Sequence, residues 1–375
     1  MTGAPVLNGV AAALIGVLDA CLKDGFGIGT VDSITIAGGV ATVQRSAGHP
    51  MEVGTVALIA GATVSGGDIN GEQKVTAATS TTYQFDATGL ANQTATGTIT
   101  HKVAPLGWAK TGSGNLAAYK PTDPAATGCM LRVDDSGTTL ARIRGFETMS
   151  DINTGLGLFP TDAAVSGGLY WPKSSSSDAT ARAWILVGDG RLFYLMVAYQ
   201  STAGQVFGFN HVFGDINAVK SPDAFACLVH GMVTSSGGTA GNNSAADFDD
   251  GNGTAQSTGT YLPRSYVGVG GNIAARKSFP LIVGSSGGKS GNTGMPYPNN
   301  ADGGLYLSPY HVIDHASGVY RGVAPGLYAF PQMVGPTSFG SRDRLEGVSG
   351  YSGKVFRVVN SAVGCFAFDT TGPWR

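Results

Sequence analysis

From Val31 to Val103 no apolar pattern lasts more than a few residues before Gly, Asn, Asp or Ser interrupts it, and this punctuation constrains the fold most. In "SITIAGGVATVQRSAGHP", Ile34 and Ile36 alternate with polar residues, Gly38-Gly39 turns the chain, and Val40 to Val43 runs back. A period of two sets one face of each run against a core, and a Gly-Gly pair suits a tight hairpin turn. "TVALIAGA", "EQKVTAAT", "TTYQFDA" and "ATGTITHKV" follow without a helical stretch between them. About six short strands in some 75 residues call for a small closed or half-closed β-barrel, placed at 28–105.

Ahead of it, residues 1–27 carry a helical pattern. On a helical wheel Val6, Leu7, Val10, Leu14, Ile15, Val17, Leu18, Cys21 and Leu22 fall in one half-cylinder, with Asn8, Asp19 and Lys23 in the other. Pro5 suits a first turn and Gly25 a C-terminal cap, giving a helix of about 19 residues and roughly 28 Å. Its second face places Gly9, Ala13, Gly16 and Ala20 in a seam of small residues, expected to touch another subunit; the alternative is a face that meets only solvent. "GVAAALIGVLDACLKDGFG" is not read as an export signal, because the first basic residue is Lys23 and Asp19 precedes Cys21 where a lipoprotein site carries small neutral residues. Glycines, Asn8 and Asp19 interrupt it too often for a membrane span.

Beyond residue 106 the strands lengthen and gain aromatics, as in "GCMLRVDDSG", "LARIRGFETMSDI" and "DAFACLVHGMV". Trp184 to Tyr199 reads as two apolar strands around Gly188-Asp189-Gly190, a hairpin buried on both faces. Gly, Ser, Asn and Thr fill 234–260 and 284–304, which read as surface loops. The fold class is therefore mainly β: an N-terminal amphipathic helix, a small β-barrel, and a larger β-sandwich-like domain over 106–375.

Only 13% of residues are charged, against 58 glycines and 42% hydrophobic residues, and the net charge is -2. A surface so poor in Lys and Glu suits a subunit covered by neighbours, or else an extracellular β protein with a Ser/Thr/Asn surface. No basic cluster offers a field for nucleic acid or an anionic membrane. Cys21, Cys129, Cys227 and Cys365 are widely spaced and lack metal-ligand spacing, so they read as small buried residues, with one long-range disulfide left open.

Several stretches resemble structural proteins of tailed-bacteriophage virions. The barrel segment does so through "SITIAGGVATV", "GHPMEVGTVALIAGAT", "INGEQKVTAATSTTYQF" and "ATGTIT"; the second half through "GWAKTGSGNLAAYK", "LRVDDSGTTLARIRGFETMSDINTG", "ARAWILVGDGRLFYLMVAY" and "FAFDTTGPWR". The resemblance implies a place in the particle, in tail, neck or baseplate, after synthesis in the bacterial cytoplasm. It also implies that the barrel is a structural or adhesive spacer.

The tempting chemical motifs fail on spacing. "FPLIVGSSGGKSG" ends like a phosphate-binding loop in Gly288-Lys289-Ser290, yet its first glycine, Gly284, leaves the loop one residue short. "DFDDGNG", with Asp247, Asp249 and Asp250, lacks the closing Glu of a calcium loop and reads as a solvated turn. His311 and His315 sit in strand-forming sequence, where a four-residue spacing does not bring two rings together. Asp134-Asp135 reads as a turn between strands, and Arg142, Arg144 and Glu147 as ion-pair formers between strands or subunits. No catalytic, cofactor or metal residues are assigned. Tyr170, Trp171, Tyr261 and Tyr297 lie in or beside polar loops and suit subunit docking or stacking on a host surface glycan. The expected function is a non-enzymatic virion subunit whose copies, with other virion proteins, form a symmetric ring or sleeve. The competing reading is a receptor- or glycan-binding tail protein.

Overall fold

The Gly38-Gly39 pair does form the expected turn. Both glycines have positive φ, 59° and 78°, and Ser33–Ala37 pairs with Val40–Gln44 in an unbroken antiparallel ladder. The computed structural model describes residues 1–200, 207, 209–235, 258–278, 295–332, 338–361 and 364–375. They divide into two units: Met1–Val6 with Gly16–Gly107, and Leu7–Ile15 with Trp108–Arg375. Both are built mainly of strand, and among the described residues regular helix occurs only near the N-terminus.

The first unit is one curled, half-barrel sheet. Its strands are β1 (Phe26–Thr30), β2 (Ser33–Ala37), β3 (Val40–Gln44), β4 (Val56–Ala60), β5 (Gly71–Ala78), β6 (Thr82–Asp86), β7 (Gln93–Thr94) and β8 (Thr100–Val103). They lie in the order β1-β8-β4-β5-β6-β3-β2-β7. Period-two patterning fills the concave side with Ile34, Ile36, Ala41, Val43, Ala57, Ile59, Tyr83 and Phe85. Two histidines share this core. His101 Nδ1 is 2.9 Å from the Tyr83 hydroxyl, and the His49 ring meets Tyr83 edge-on at 5.0 Å.

The helix is shorter than its apolar pattern predicts. Regular α-helix α1 covers Ala13–Leu18 and passes into a π-helical turn, Asp19–Asp24, that ends at Gly25 with φ +73°. Gly9 is not on a helix: its N–H donates to the Asp178 carbonyl at 2.8 Å, and a Cβ there would strike the Ser176 carbonyl. Leu7 bridges to Arg182 in extended conformation, and Ala12 has φ +65°. The helix starts where it does because the Asp135 carboxylate, 121 residues from Leu14 in sequence, accepts the N–H groups of Leu14 and Ile15. A side-chain oxygen at that position satisfies donors that a helix start leaves open. Within the true helix the apolar half is buried as the wheel requires: Leu14, Ile15, Val17, Leu18, Cys21 and Leu22. Val6 and Val10, on the same predicted half, lie before it and are exposed.

The second unit holds large antiparallel sheets. A meander runs through Trp108–Thr111, Leu116–Pro121, Met130–Asp134, Leu140–Phe146 and Leu169–Pro172, and meets Cys227–Met232 through the pair Tyr170 and Met232. A second run links Ala183–Gly188, Leu192–Ala198, Phe209–Asp215, Cys227–Met232, Thr258–Leu262, Ile273–Ser278, Ser308–Asp314 and Tyr320–Ala329. Gly364–Asp369, Phe356–Ser361 and Arg344–Leu345 extend it further. The Trp184 to Tyr199 hairpin is covered unequally. Leu192–Ala198 is buried at every position, whereas Ala183–Gly188 stays partly open along its length, because its only ladder among the described residues is to the first.

Candidate functional site

Two buried ion pairs organise the second unit. Asp135 and Lys173 both have fully buried side chains and bond to each other, and Lys173 Nζ also donates to the Val10 carbonyl at 2.7 Å. Burial pushes the Asp135 carboxyl up and the Lys173 ammonium down, both toward neutrality, against the attraction between them. With Leu14 and Ile15 on the other carboxylate oxygen, this pair straps the N-terminal segment to the sheet. In sequence Asp134-Asp135 reads as a turn. Asp134 does serve one, accepting from the N–H and hydroxyl of Ser136, while its neighbour faces inward.

Arg321 and Asp223 form the second pair, with side chains 1% and 2% exposed. Arg321 Nη2 lies 2.8 Å from the Asp223 carboxylate, and its remaining donors reach the carbonyls of Arg264 and Phe225 at 3.0 and 3.3 Å. One cation thus fixes two surface segments at once.

The segment it fixes joins Thr258–Leu262 to Ile273–Ser278 and is the candidate interaction surface. Arg264 donates to Glu147 at 2.5 Å, a bond that raises the affinity of its guanidinium for its proton. Gly268 N–H donates to the Ser265 carbonyl at 2.9 Å, the Ser265 hydroxyl to the Val269 carbonyl at 2.9 Å, and Lys220 Nζ to the Tyr266 carbonyl at 3.2 Å. Gly268 has φ +76° and sits on the Phe225 ring, where a Cβ would meet Cε2 at 2.9 Å. A backbone held at so many points nevertheless exposes apolar side chains: Tyr266 at 41%, Val267 at 57%, Val269 at 70%, with Val219 at 62%. The sequence signal was valines alternating with glycines in "SYVGVGGN", which loop composition masked.

The residues singled out in sequence are not brought together. Ala13 and Ala20 are half-buried and Gly16 is exposed, with open space where its Cβ would project; Gly9 lies apart, before the helix. Trp171 is fully enclosed, its indole N–H donating to the His230 carbonyl at 2.8 Å and its ring stacked on His211 at 4.8 Å. It therefore offers no face to a glycan or a neighbour. Tyr170, one residue away on the opposite side of the strand, is half-buried with the Arg142 guanidinium 3.6 Å from its ring centre. Tyr261 is half-buried on its strand, and Tyr297 is exposed beside Phe339. Of the charges expected to pair, Arg144 bonds Asp162 and Glu147 bonds Arg264, while Arg142 rests on Tyr170.

No family model and no curated protein matches the chain. Among solved structures it is similar to the phage phi92 endosialidase at 12% identity, over 93% of this chain and 71% of that one. The TM-score of 0.17 is too low for that likeness to bear on fold or function.

All four cysteines are free and buried, and burial pushes the Cys21 and Cys365 thiols up to about 12. Among the described residues no group of three or more His, Cys, Asp or Glu is placed to hold a metal ion. His311 Nδ1 lies 3.0 Å from the Tyr320 hydroxyl, and His315 follows the strand, its N–H donating to the Ala274 carbonyl at 2.8 Å. Asp247, Asp249, Asp250 and the Gly284–Ser290 loop lie outside the described residues, as does most of the 234–260 segment. Among the described residues no helix is long and apolar enough to cross a membrane.

Proposed function

We propose that this chain is a non-enzymatic structural subunit of a tailed-bacteriophage particle, in tail, neck or baseplate, and that copies of it pack into a symmetric ring or sleeve through the pinned 263–272 segment. The observation that carries the reading is an apolar display on a fixed backbone. Exposed Tyr266, Val267 and Val269 give up hydrophobic free energy in a lone chain, about 1.5–3 kcal/mol for each large side chain that a neighbour could bury in full. Fixing the loop in advance reduces the ordering cost of docking it. The buried ion pairs serve the same rigidity, since Asp135, Lys173 and Arg321 bond backbone groups of separate segments and brace them. The resemblance of the chain to virion proteins supplies the setting, and repeated self-contact closed by rotation supplies the ring.

Native mass measurement of the purified chain, alone and in the particle, tests this. A closed oligomer that Val267→Asp and Val269→Asp convert to folded monomers is expected. A wild-type chain that stays monomeric, and a particle without it, would refute the proposal.

A further inference from the structure

The outer face of the first sheet of the second unit concentrates guanidinium groups. Register sets Arg132 opposite Arg144, and Arg142 between Asp134 on one strand and Tyr170 on the other. Paired positions in an antiparallel ladder share a face, so the three arginines project together, away from buried Leu131, Val133 and Ile143. Like charges directly opposed across strands are unfavourable, and their compensation here is incomplete. Asp162 bonds Arg144, while Arg132 donates Nε to the Ile152 carbonyl at 2.9 Å and Nη2 to Asn153 Oδ1 at 2.8 Å, and Asp134 reaches it only at 3.9 Å with Oδ1 spent on Ser136. Among the described residues Arg142 has no ion-pair partner. It is held instead by the Tyr170 ring, by the Gly167 carbonyl at 3.1 Å, and by the Ser166 carbonyl. Those contacts use its Nε and Nη2 and fix the planar group in one orientation, leaving Nη1 available. Burial and the nearby Arg144 weaken its hold on its proton, and the more distant charges of Asp134 and Asp162 only partly offset them.

We propose that Arg132, Arg142 and Arg144 form a binding site for an anionic oxygen group, a carboxylate or a phosphate- or sulfate-type oxyanion. A pre-oriented guanidinium is the side chain best matched to such groups, because its N–H donors are set in a rigid fork. The inference does not rest on the assembly reading: anion binding by the isolated chain and its oligomeric state are separate measurements, although Thr161, beside Asp162, donates to Asn272 of the assembly segment at 3.0 Å.

Thermal melts and calorimetry of the full chain provide the test, with inorganic phosphate, trigalacturonate and the neutral maltotriose as probes. Phosphate and trigalacturonate are expected to raise the melting temperature at millimolar concentration, and maltotriose to leave it unchanged. Tighter trigalacturonate identifies an acidic saccharide as the source of the anion, and tighter phosphate a free oxyanion. Arg142→Gln should weaken binding about tenfold or more, the loss of one charge-assisted contact. Arg144→Gln gives the same reading should Arg142→Gln unfold the loop it holds. Asp162→Asn, which removes a competing carboxylate, should tighten binding, an effect that a purely structural role for the arginines would not produce. No response of the wild type to either anion, or unchanged binding in folded Arg142→Gln and Arg144→Gln, would overturn the proposal.

Discussion

Replacing Asp135 should release the N-terminal strap and expose the energetics of the buried pair. In Asp135→Asn the Lys173 ammonium stays fully buried with the Val10 carbonyl as its described acceptor and no anion beside it. Removing one partner of a buried pair costs about 3–5 kcal/mol, since the other is left uncompensated. Asp135→Ala should cost about 1 kcal/mol more, because it also removes the oxygen that accepts from Leu14 and Ile15 at the helix start. Lys173→Met should cost about as much as Asp135→Asn, whereas Asp135→Asn with Lys173→Met removes both charges and should cost far less than the sum. A coupling of about 2 kcal/mol or more is expected between the two sites. Urea unfolding of the second unit measures the cycle, and hydrogen exchange localises it. In Asp135→Ala the amides of Leu14 and Ile15 should lose protection, while those of Leu192–Ala198 keep theirs. Strict additivity of the single changes, or full protection of Leu14 and Ile15 in Asp135→Ala, would refute the reasoning.

Two further outcomes are expected. Burial lowers the pKa of His101 to about 4, below an unfolded value near 6.5, so the folded first unit favours the neutral ring. Its contribution is complete above the unfolded pKa and is lost as pH falls toward 4, by about 2–3 kcal/mol at pH 4.5; melts at pH 7 and 4.5 should show this and His101→Gln should flatten it, while equal stability at both pH values would contradict it. Gly16→Leu meets open space and adds a better helix former, so the melting temperature should hold or rise; if the Ala13, Gly16 and Ala20 face meets a neighbour, native mass spectrometry will find that this folded variant no longer assembles, and an unchanged oligomer counts against the seam.

What was legible in sequence was whatever local periodicity decides. Ile34 and Ile36 alternate, Gly38-Gly39 can adopt positive φ, and those facts suffice for the hairpin and for the mainly β class. What was not legible depended on partners far along the chain. The apolar spacing of Val6 and Val10 continues the wheel, so it cannot reveal that Asp135 starts the helix at Ala13. Tyr170 and Trp171 are adjacent aromatics in one strand, and period two sends them to opposite faces. Only the register with Arg142 and the enclosure by His211 and His230 show which face is the core. The pinned loop was missed for a related reason. Glycine-rich sequence reads as slack, and it takes Arg321, Lys220 and Phe225 from other segments to make it rigid.

The strap also bears on the order in which the chain can mature. The lysine that binds the Val10 carbonyl lies 163 positions later in the chain, and the carboxylate that starts the helix lies 121 positions beyond Leu14. Contacts so distant in sequence form late, after shorter loops have closed. The opening segment must therefore wait, unlocked, through synthesis of the whole half-barrel and the first meander strands. Residues 7–15 can then dock in full only on a chain translated past Arg182 and folded there, so an ordered segment marks a finished second unit.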